Sequence, residues 1–378
     1  MKGLSGFALF AALVATLSVV VAVAAAAAAP PVQAEAYLVQ NGITGEVLAS
    51  HDAREQLPMA SITKLMTALV AVENRRLDDV VTVTQGAAGV GESTINLRPG
   101  ERIPLRDLIR AALVQSANDA AHAIAAHIGN GSVARFVALM NERARELLLT
   151  DTHFVNPDGL DAPGHVSSAR DVTELAFAAM RVPFIRETVR LVNTSAAGRL
   201  LRNWNDLLSS FPNLLGVKTG HTDGAGWSQV AAARGGGVTI YVTLLGGETR
   251  EGRNTDISEL LAWGLSRYRT VWAIDNRRTY GMVRTAYGKS AVRVVAAKPS
   301  LRVIHVGRPL MERVVLPMEA ELPVRKGQQL GEVQVLDRGT VIARSALVAA
   351  TSIDRPGTLG RIGFYAGRTL DHLGGLFS

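Results

Sequence analysis

Three short clusters in the sequence bring together residue types that can do covalent chemistry. Ser61-Ile62-Thr63-Lys64 sets a hydroxyl and an amine three positions apart, which on a helix makes them neighbours on one face. An amine that burial and nearby cations have made easy to deprotonate can take the proton of a serine. A serine in the first turn also lies beside free backbone N–H groups and the positive end of the helix dipole, both of which favour an oxyanion. Taken alone, the pair reads more simply as a helix cap and a surface lysine. Ser116-Ala117-Asn118 falls between two predicted helices, where it offers a hydroxyl for proton relay and an amide for a substrate carbonyl, or merely a cap. Lys218-Thr219-Gly220, followed by His221, continues a strand-like run. It offers a fixed cation, a hydroxyl for a carboxylate and a small residue against which an extended ligand can pair, or simply a strand ending in a turn.

The elements that must carry these residues follow from periodicity. "AYLVQ" and "GEVLAS" bracket a glycine-containing turn and predict a hairpin. Ile62, Leu65, Met66, Leu69 and Val70 repeat at helical spacing, so Ser61 and Lys64 belong to the head of an amphipathic helix. Further helices are predicted over 104–114, 118–128 and 132–149, and another opens at Ser168 with a cap-like Asp171 three residues on. After Pro212, "LLGVKTGHT", "GWSQVAAARGGG" and "VTIYVTLLGGE" read as antiparallel strands, and 257–268 as a closing helix. The expected fold class is α+β: an antiparallel sheet flanked by a helical block over residues 35–275. A small all-β domain follows over 276–352, then an amphipathic helical tail over 356–378. In that tail Leu359, Ile362, Ala366, Leu370, Leu373 and Phe377 form one apolar stripe, suited to a membrane surface.

Residues 1–34 read as a secretory signal: Lys2, a long apolar run, then a small-residue site with cleavage after Ala34, or after Ala29 as the second choice. Cleavage at Ala34 lowers the formal charge from +7 to +6. The arginines are scattered rather than gathered into a stripe with aromatics, which argues against nucleic-acid binding. The chain has no cysteine, which excludes disulfides, thiolate metal sites and a cysteine nucleophile. His122 and His127 lack a metal-binding spacing and no H-E-x-x-H occurs, so no metal or other cofactor is expected.

S-x-x-K, S-x-N and K-T-G in this order form the signature set of the penicillin-recognising serine enzymes. With "PMASITKLMTALV", "LRPGERIPLRDLIRAALVQSANDAAHAIA", "THFVNPDGLDAPGHVSSARDV" and "GVKTGHTDGAGWSQVAAA", the chain resembles the low-molecular-mass penicillin-binding proteins that are D-alanyl-D-alanine carboxypeptidases. The resemblance implies a β-lactamase/transpeptidase-like catalytic domain. It implies Ser61 as nucleophile, Lys64 as base, and Ser116, assisted by Lys218, as proton donor to the leaving D-alanine. Asn118 would hold the acyl-side amide of the substrate, and Lys218 and Thr219 its terminal carboxylate. The oxyanion would rest on the backbone N–H groups of Ser61 and His221, Gly220 lying between strand and substrate. Arg253, in "GGETREGR", would add a second cation. The implied partners are peptidoglycan stem peptides, β-lactams as covalent inhibitors, and a membrane surface through the tail, on the periplasmic side of the inner membrane. Rival readings are a DD-endopeptidase, a β-lactamase, which S-A-N in place of S-D-N and the absence of a Glu near Asp158 and Asp161 disfavour, and a non-catalytic wall-binding protein of the same fold.

Overall fold

The computed structural model describes residues 14–15, 28–288, 290–359 and 362. Ala27–Tyr268 form one unit, and the chain from Arg269 onward, joined by Val14–Ala15, builds a second. In the first unit, Ala34–Asn41 (β1) and Val47–His51 (β2) pair as an antiparallel hairpin. Asn41 Oδ1 accepts the Ile43 and Thr44 N–H groups and so shapes the turn. Leu214–Thr222 (β3), Gly226–Gly235 (β4) and Val238–Gly247 (β5) complete a five-stranded antiparallel sheet in the order β2-β1-β5-β4-β3. Strand β3 is therefore an edge, paired with β4 in the register Lys218↔Val230, Gly220↔Ser228 and His221↔Trp227. Two-residue alternation divides the sheet: Val230 and Ala232 face the helical block, whereas Ala231 and Ala233 face the closing helix.

The helical block is centred on Lys64–Asn74 (α1), which a single 3₁₀ turn, Ala60–Thr63, leads into. All eight residues from Lys64 to Ala71 are buried. A helix buried on every side belongs at the centre of a bundle rather than on its surface. Leu65 and Leu69 each contribute about 1.5–3 kcal/mol by that burial. Around α1 pack Leu105–Arg110 (α2), Asn118–Ile128 (α3), Val133–Glu146 (α4) and Ala169–Arg181 (α5). Ser168 caps α5 by accepting the Asp171 N–H, as its spacing predicts. The run after α2 widens into a π-helical turn, Ala111–Gln115, that ends at Ser116 in the left-handed region with φ 62°.

The closing helix, Arg250–Ser266 (α6), begins seven residues before the periodicity suggests. Its first turn, Arg250-Glu251-Gly252-Arg253, carries no apolar residue to reveal it. Thr249 caps it by accepting the Gly252 N–H. The second unit is a separate β structure. The strands of its seven-stranded sheet, in spatial order, are Val14–Ala15, Met311–Val315, Gln329–Asp337, Thr340–Ala349, Val292–Ala296, Thr279–Thr285 and Glu319–Ala320, around a core that includes Val283, Val294, Val324, Val333 and Leu347. Most of the expected signal segment and of the expected amphipathic tail lies outside the described residues; Leu359 and Ile362 are exposed.

The loop before α5 presses on the turn that carries Ser61. Gly159 has φ +90°, and a Cβ there would lie 1.9 Å from the Ala60 carbonyl oxygen. No side-chain rotation relieves a clash with backbone. Gly159→Ala is expected to lose about 2–4 kcal/mol of stability, as overpacking and a left-handed non-glycine residue add. Urea unfolding measures it, and a midpoint equal to wild type contradicts this account of the loop.

Candidate active site

Lys64 is fully buried, and its Nζ lies 2.7 Å from each of three oxygens: Ser61 Oγ, Asn118 Oδ1 and the Asp158 carbonyl. An ammonium has three N–H donors, and three acceptors meet them here. Two of those acceptors are carbonyl oxygens that cannot donate. A neutral amine therefore keeps its two N–H groups on Asn118 and Asp158 and turns its lone pair to the Ser61 hydroxyl. Burial lowers the Lys64 pKa to about 8, opposed by the negative charges of Asp158, Glu92 and Asp119. Ser61 does not act as a helix cap: the residue at the head of the 3₁₀ turn is Met59, and no side chain caps it.

Ser116 and Lys218 make a second hydroxyl–amine pair at 2.9 Å, although 102 residues separate them in sequence. Lys218 Nζ also donates to the Thr219 carbonyl at 2.9 Å. It is almost wholly buried, and desolvation together with the Lys64 and Arg253 cations holds its pKa well below the usual lysine value. The left-handed backbone at Ser116 turns its side chain out of the helical path. Neither Ser116 nor Asn118 caps α3, whose head is Ala117 with no side-chain cap. Asn118 instead accepts from Lys64 and donates through Nδ2 to the Gly91 carbonyl at 3.1 Å, so one amide hydrogen remains. Just before Lys218, a bulge between Leu214 and Gly216 is followed by Val217 at φ 107°, a conformation that costs a β-branched residue about 1–3 kcal/mol. The bulge re-aims the strand where it meets the helical block.

Gly220 marks where β3 passes the turn that carries Ser61. A Cβ there would lie 2.9 Å from the Met59 carbonyl oxygen and 3.2 Å from Ser61 N. The glycine thus lets the strand edge approach the Ser61 backbone. Ser61, Ser116, Thr219, His221 and Arg253 line one cleft of about 290 Å³. The His221 ring stacks on Trp227 with centroids 3.9 Å apart, so its imidazole is occupied by packing. Arg253, from the first turn of α6, is 2% exposed and lies 5.6 Å over Trp227. Its guanidinium donates to Asn254 Oδ1 at 2.7 Å and is 3.9 Å from Asp206. Burial brings its pKa down to about 10, so it remains a cation.

Residues from the loop 153–166, none of which was singled out as a site residue in the sequence, complete the site. The Asp158 carboxylate is buried and 3.1 Å from His122 Nε2. Burial works to raise its pKa, and the His122 hydrogen bond and the Lys64 charge more than offset this. His165 Nδ1 accepts the Val155 N–H at 3.0 Å, which leaves Nε2 to donate to Thr63 Oγ1 at 2.8 Å. Burial drops its pKa to about 4, and it stays neutral. Asp161 accepts from Thr222 Oγ1 at 2.7 Å and from Gly224 N at 2.9 Å, tying the loop to the end of β3. In the sequence this segment showed itself only through the turn-forming "NPDG" and as part of the stretch that carries the family resemblance.

A family profile described as D-alanyl-D-alanine carboxypeptidase matches residues 23–249. The D-alanyl-D-alanine carboxypeptidase DacD of Salmonella typhimurium is 33% identical over 357 residues, 89% of this chain and 90% of that protein. DacC of Escherichia coli, with the same activity in its name, is 33% identical over 351 residues, 88% of each chain. The crystal structure of penicillin binding protein 6B from Escherichia coli superposes with a TM-score of 0.65 at 30% identity, covering 86% of this chain and 98% of that one. With the two serine–lysine pairs meeting in one cleft, these matches show that the chain belongs to the D-alanyl-D-alanine carboxypeptidase family of serine peptidases.

Proposed function

We propose that the protein removes the terminal D-alanine from peptidoglycan stem pentapeptides through an acyl-enzyme on Ser61. The observation that carries this reading is the contact between a dehydrated Lys64 amine and Ser61 Oγ at 2.7 Å. Lys64 takes the hydroxyl proton as Ser61 Oγ attacks the penultimate D-alanine carbonyl. The oxyanion sits between the N–H groups of Ser61 and His221, which the missing side chain at Gly220 allows to converge. Ser116 gives its proton to the departing amine as the C–N bond breaks, and Lys218 at 2.9 Å restores it. The terminal carboxylate lies toward Lys218, Thr219 and Arg253, and the free hydrogen of Asn118 Nδ2 meets the acyl-side amide. The unpaired edge of β3 receives the peptide as an added strand. Water then cleaves the ester to give the shortened stem. A β-lactam acylates the same serine.

The protein is exported, with residues 1–34 removed. It resides at the periplasmic face of the inner membrane, held there by the tail 356–378. Deleting the residues after Pro356 is expected to move the protein from the membrane fraction to the soluble one, and continued sedimentation with membranes would sink the anchor.

Release of D-alanine from a stem pentapeptide, compared with cleavage of a cross-linked dimer, tests the reaction directly. Faster cleavage of the dimer favours the endopeptidase. Labelling by a fluorescent penicillin should vanish in Ser61→Ala. In Lys64→Met, which keeps the buried volume, acylation should fall about 10²–10⁴-fold with the unfolding midpoint retained. Full labelling of Lys64→Met excludes Lys64 as the base.

The neutral form of Lys64 is the active one, so acylation should rise with pH through a midpoint near 8. Asp158 stabilises the lysine proton, so Asp158→Asn, which keeps the carbonyl acceptor, should move that limb to lower pH. Stopped-flow acylation across pH 6–10 reads it, and a shift to higher pH reverses the assignment of charge.

A further inference from the structure

The cleft wall opposite the strand edge carries an acid that the reaction does not use. Glu92 lines the same cleft as Ser61 and Ser116. The residues on either side of it are fixed to the active-site asparagine. The Gly91 carbonyl accepts from Asn118 Nδ2 at 3.1 Å, and the Ser93 carbonyl accepts from Asn118 N at 2.7 Å. Ser93 Oγ also donates to the Gln115 carbonyl at 3.0 Å. Between these anchors Glu92 adopts φ 63°, a conformation that glycine would take without strain. Its carboxylate has no hydrogen bond or ion pair among the described residues, and it is exposed. Every other charged group that lines this cleft is an arginine, Arg250 or Arg253, while Lys64 and Lys218 lie buried beneath it.

The cleft is therefore polarised, with cations where the terminal carboxylate is placed and, on the side of Asn118, one carboxylate whose flanking backbone is anchored. We propose that Glu92 is a specificity-determining residue that pairs with the free side-chain amine of a diamino acid immediately preceding the penultimate D-alanine. This rests on the carboxypeptidase reading. Consecutive Cα atoms are about 3.8 Å apart. With the penultimate D-alanine carbonyl at Ser61 and its acyl-side amide at Asn118, a four-carbon arm on the preceding residue is long enough to reach Glu92, whose two neighbours Asn118 holds. An amine there meets a carboxylate already in place, while an acylated side chain finds an acid without a partner.

Glu92 also acts on Lys64 through its charge, so its removal alters the base as well as the subsite. A ratio between two substrates cancels that effect. The experiment measures D-alanine released from L-Ala-γ-D-Glu-L-Lys-D-Ala-D-Ala and from the same peptide acetylated on the lysine Nε, by the wild-type protein and by Glu92→Gln. Wild type is expected to favour the free amine by about five-fold in kcat/KM, a ratio that shrinks as salt rises, as for a partly exposed ion pair. In Glu92→Gln the ratio should fall to about one. A wild-type ratio near one, or an unchanged ratio in Glu92→Gln, overturns the proposal while leaving the carboxypeptidase reading intact. Release from neither peptide overturns that reading and this inference with it.

Discussion

Everything in the first unit serves to hold one amine out of water without leaving it unpaired. A buried lysine with no acceptors would cost several kcal/mol or lose its proton outright. Lys64 has three acceptors, contributed by three separate pieces of chain: its own helical turn, the head of α3 and the loop 153–166. They stabilise the charged form enough for the lysine to be seated, and burial destabilises it enough to bring its pKa to about 8. That balance brings the amine's proton affinity close to neutrality, as the proposed role of Lys64 requires. Because two acceptors are carbonyls, the geometry also fixes where the lone pair must point.

The second serine–lysine pair follows the same logic on the other side of the cleft. Lys218 is a buried amine on a strand edge, and burial with the nearby Lys64 and Arg253 charges holds its pKa well below the usual lysine value. Three positive groups so close discourage one another's protons and draw an anion, so the field that tunes the lysines also suits a substrate with a terminal carboxylate. Glu92 is the counterweight on the opposite wall. The 153–166 loop ties these parts together through Asp158 to His122, His165 to Thr63 and Asp161 to Thr222, reaching α3, the nucleophile turn and β3 in turn. A perturbation of that loop reaches all three motifs at once.

Much of the fold was legible from pattern. The hairpin of β1 and β2, the three strands after Pro212, the Ser168 cap and the helix over 118–128 stand where periodicity and turn residues set them. Those signals are local: a 3.6-residue or two-residue repeat reports which face of an element is buried, and a cap reports where a helix begins. The first turn of α6 was not legible, because its residues Arg250 to Arg253 are polar and its apolar contacts begin only at Ile257. The π-helical turn before Ser116 was hidden for a similar reason, since its apolar residues fit an ordinary helix as well.

The sequence by itself determined which chemical groups were available and in which local setting: a serine and a lysine at one helix head, a hydroxyl and an amide between helices, a lysine on a strand. Whether Ser61 and Ser116 were caps or chemistry could not be settled by spacing, because a cap and a nucleophile occupy the same place at the head of a helix. The tertiary structure shows that neither side chain caps a helix. It placed Lys64 at 0% exposure, gave both serines a lysine partner instead of a backbone N–H, set the Asp158 carbonyl on Lys64 with His122 behind it, and brought Glu92 to the cleft. The reason is physical: desolvation and charge–charge coupling depend on distances through space, and residues 54, 94 and 102 positions apart leave no periodic trace of meeting.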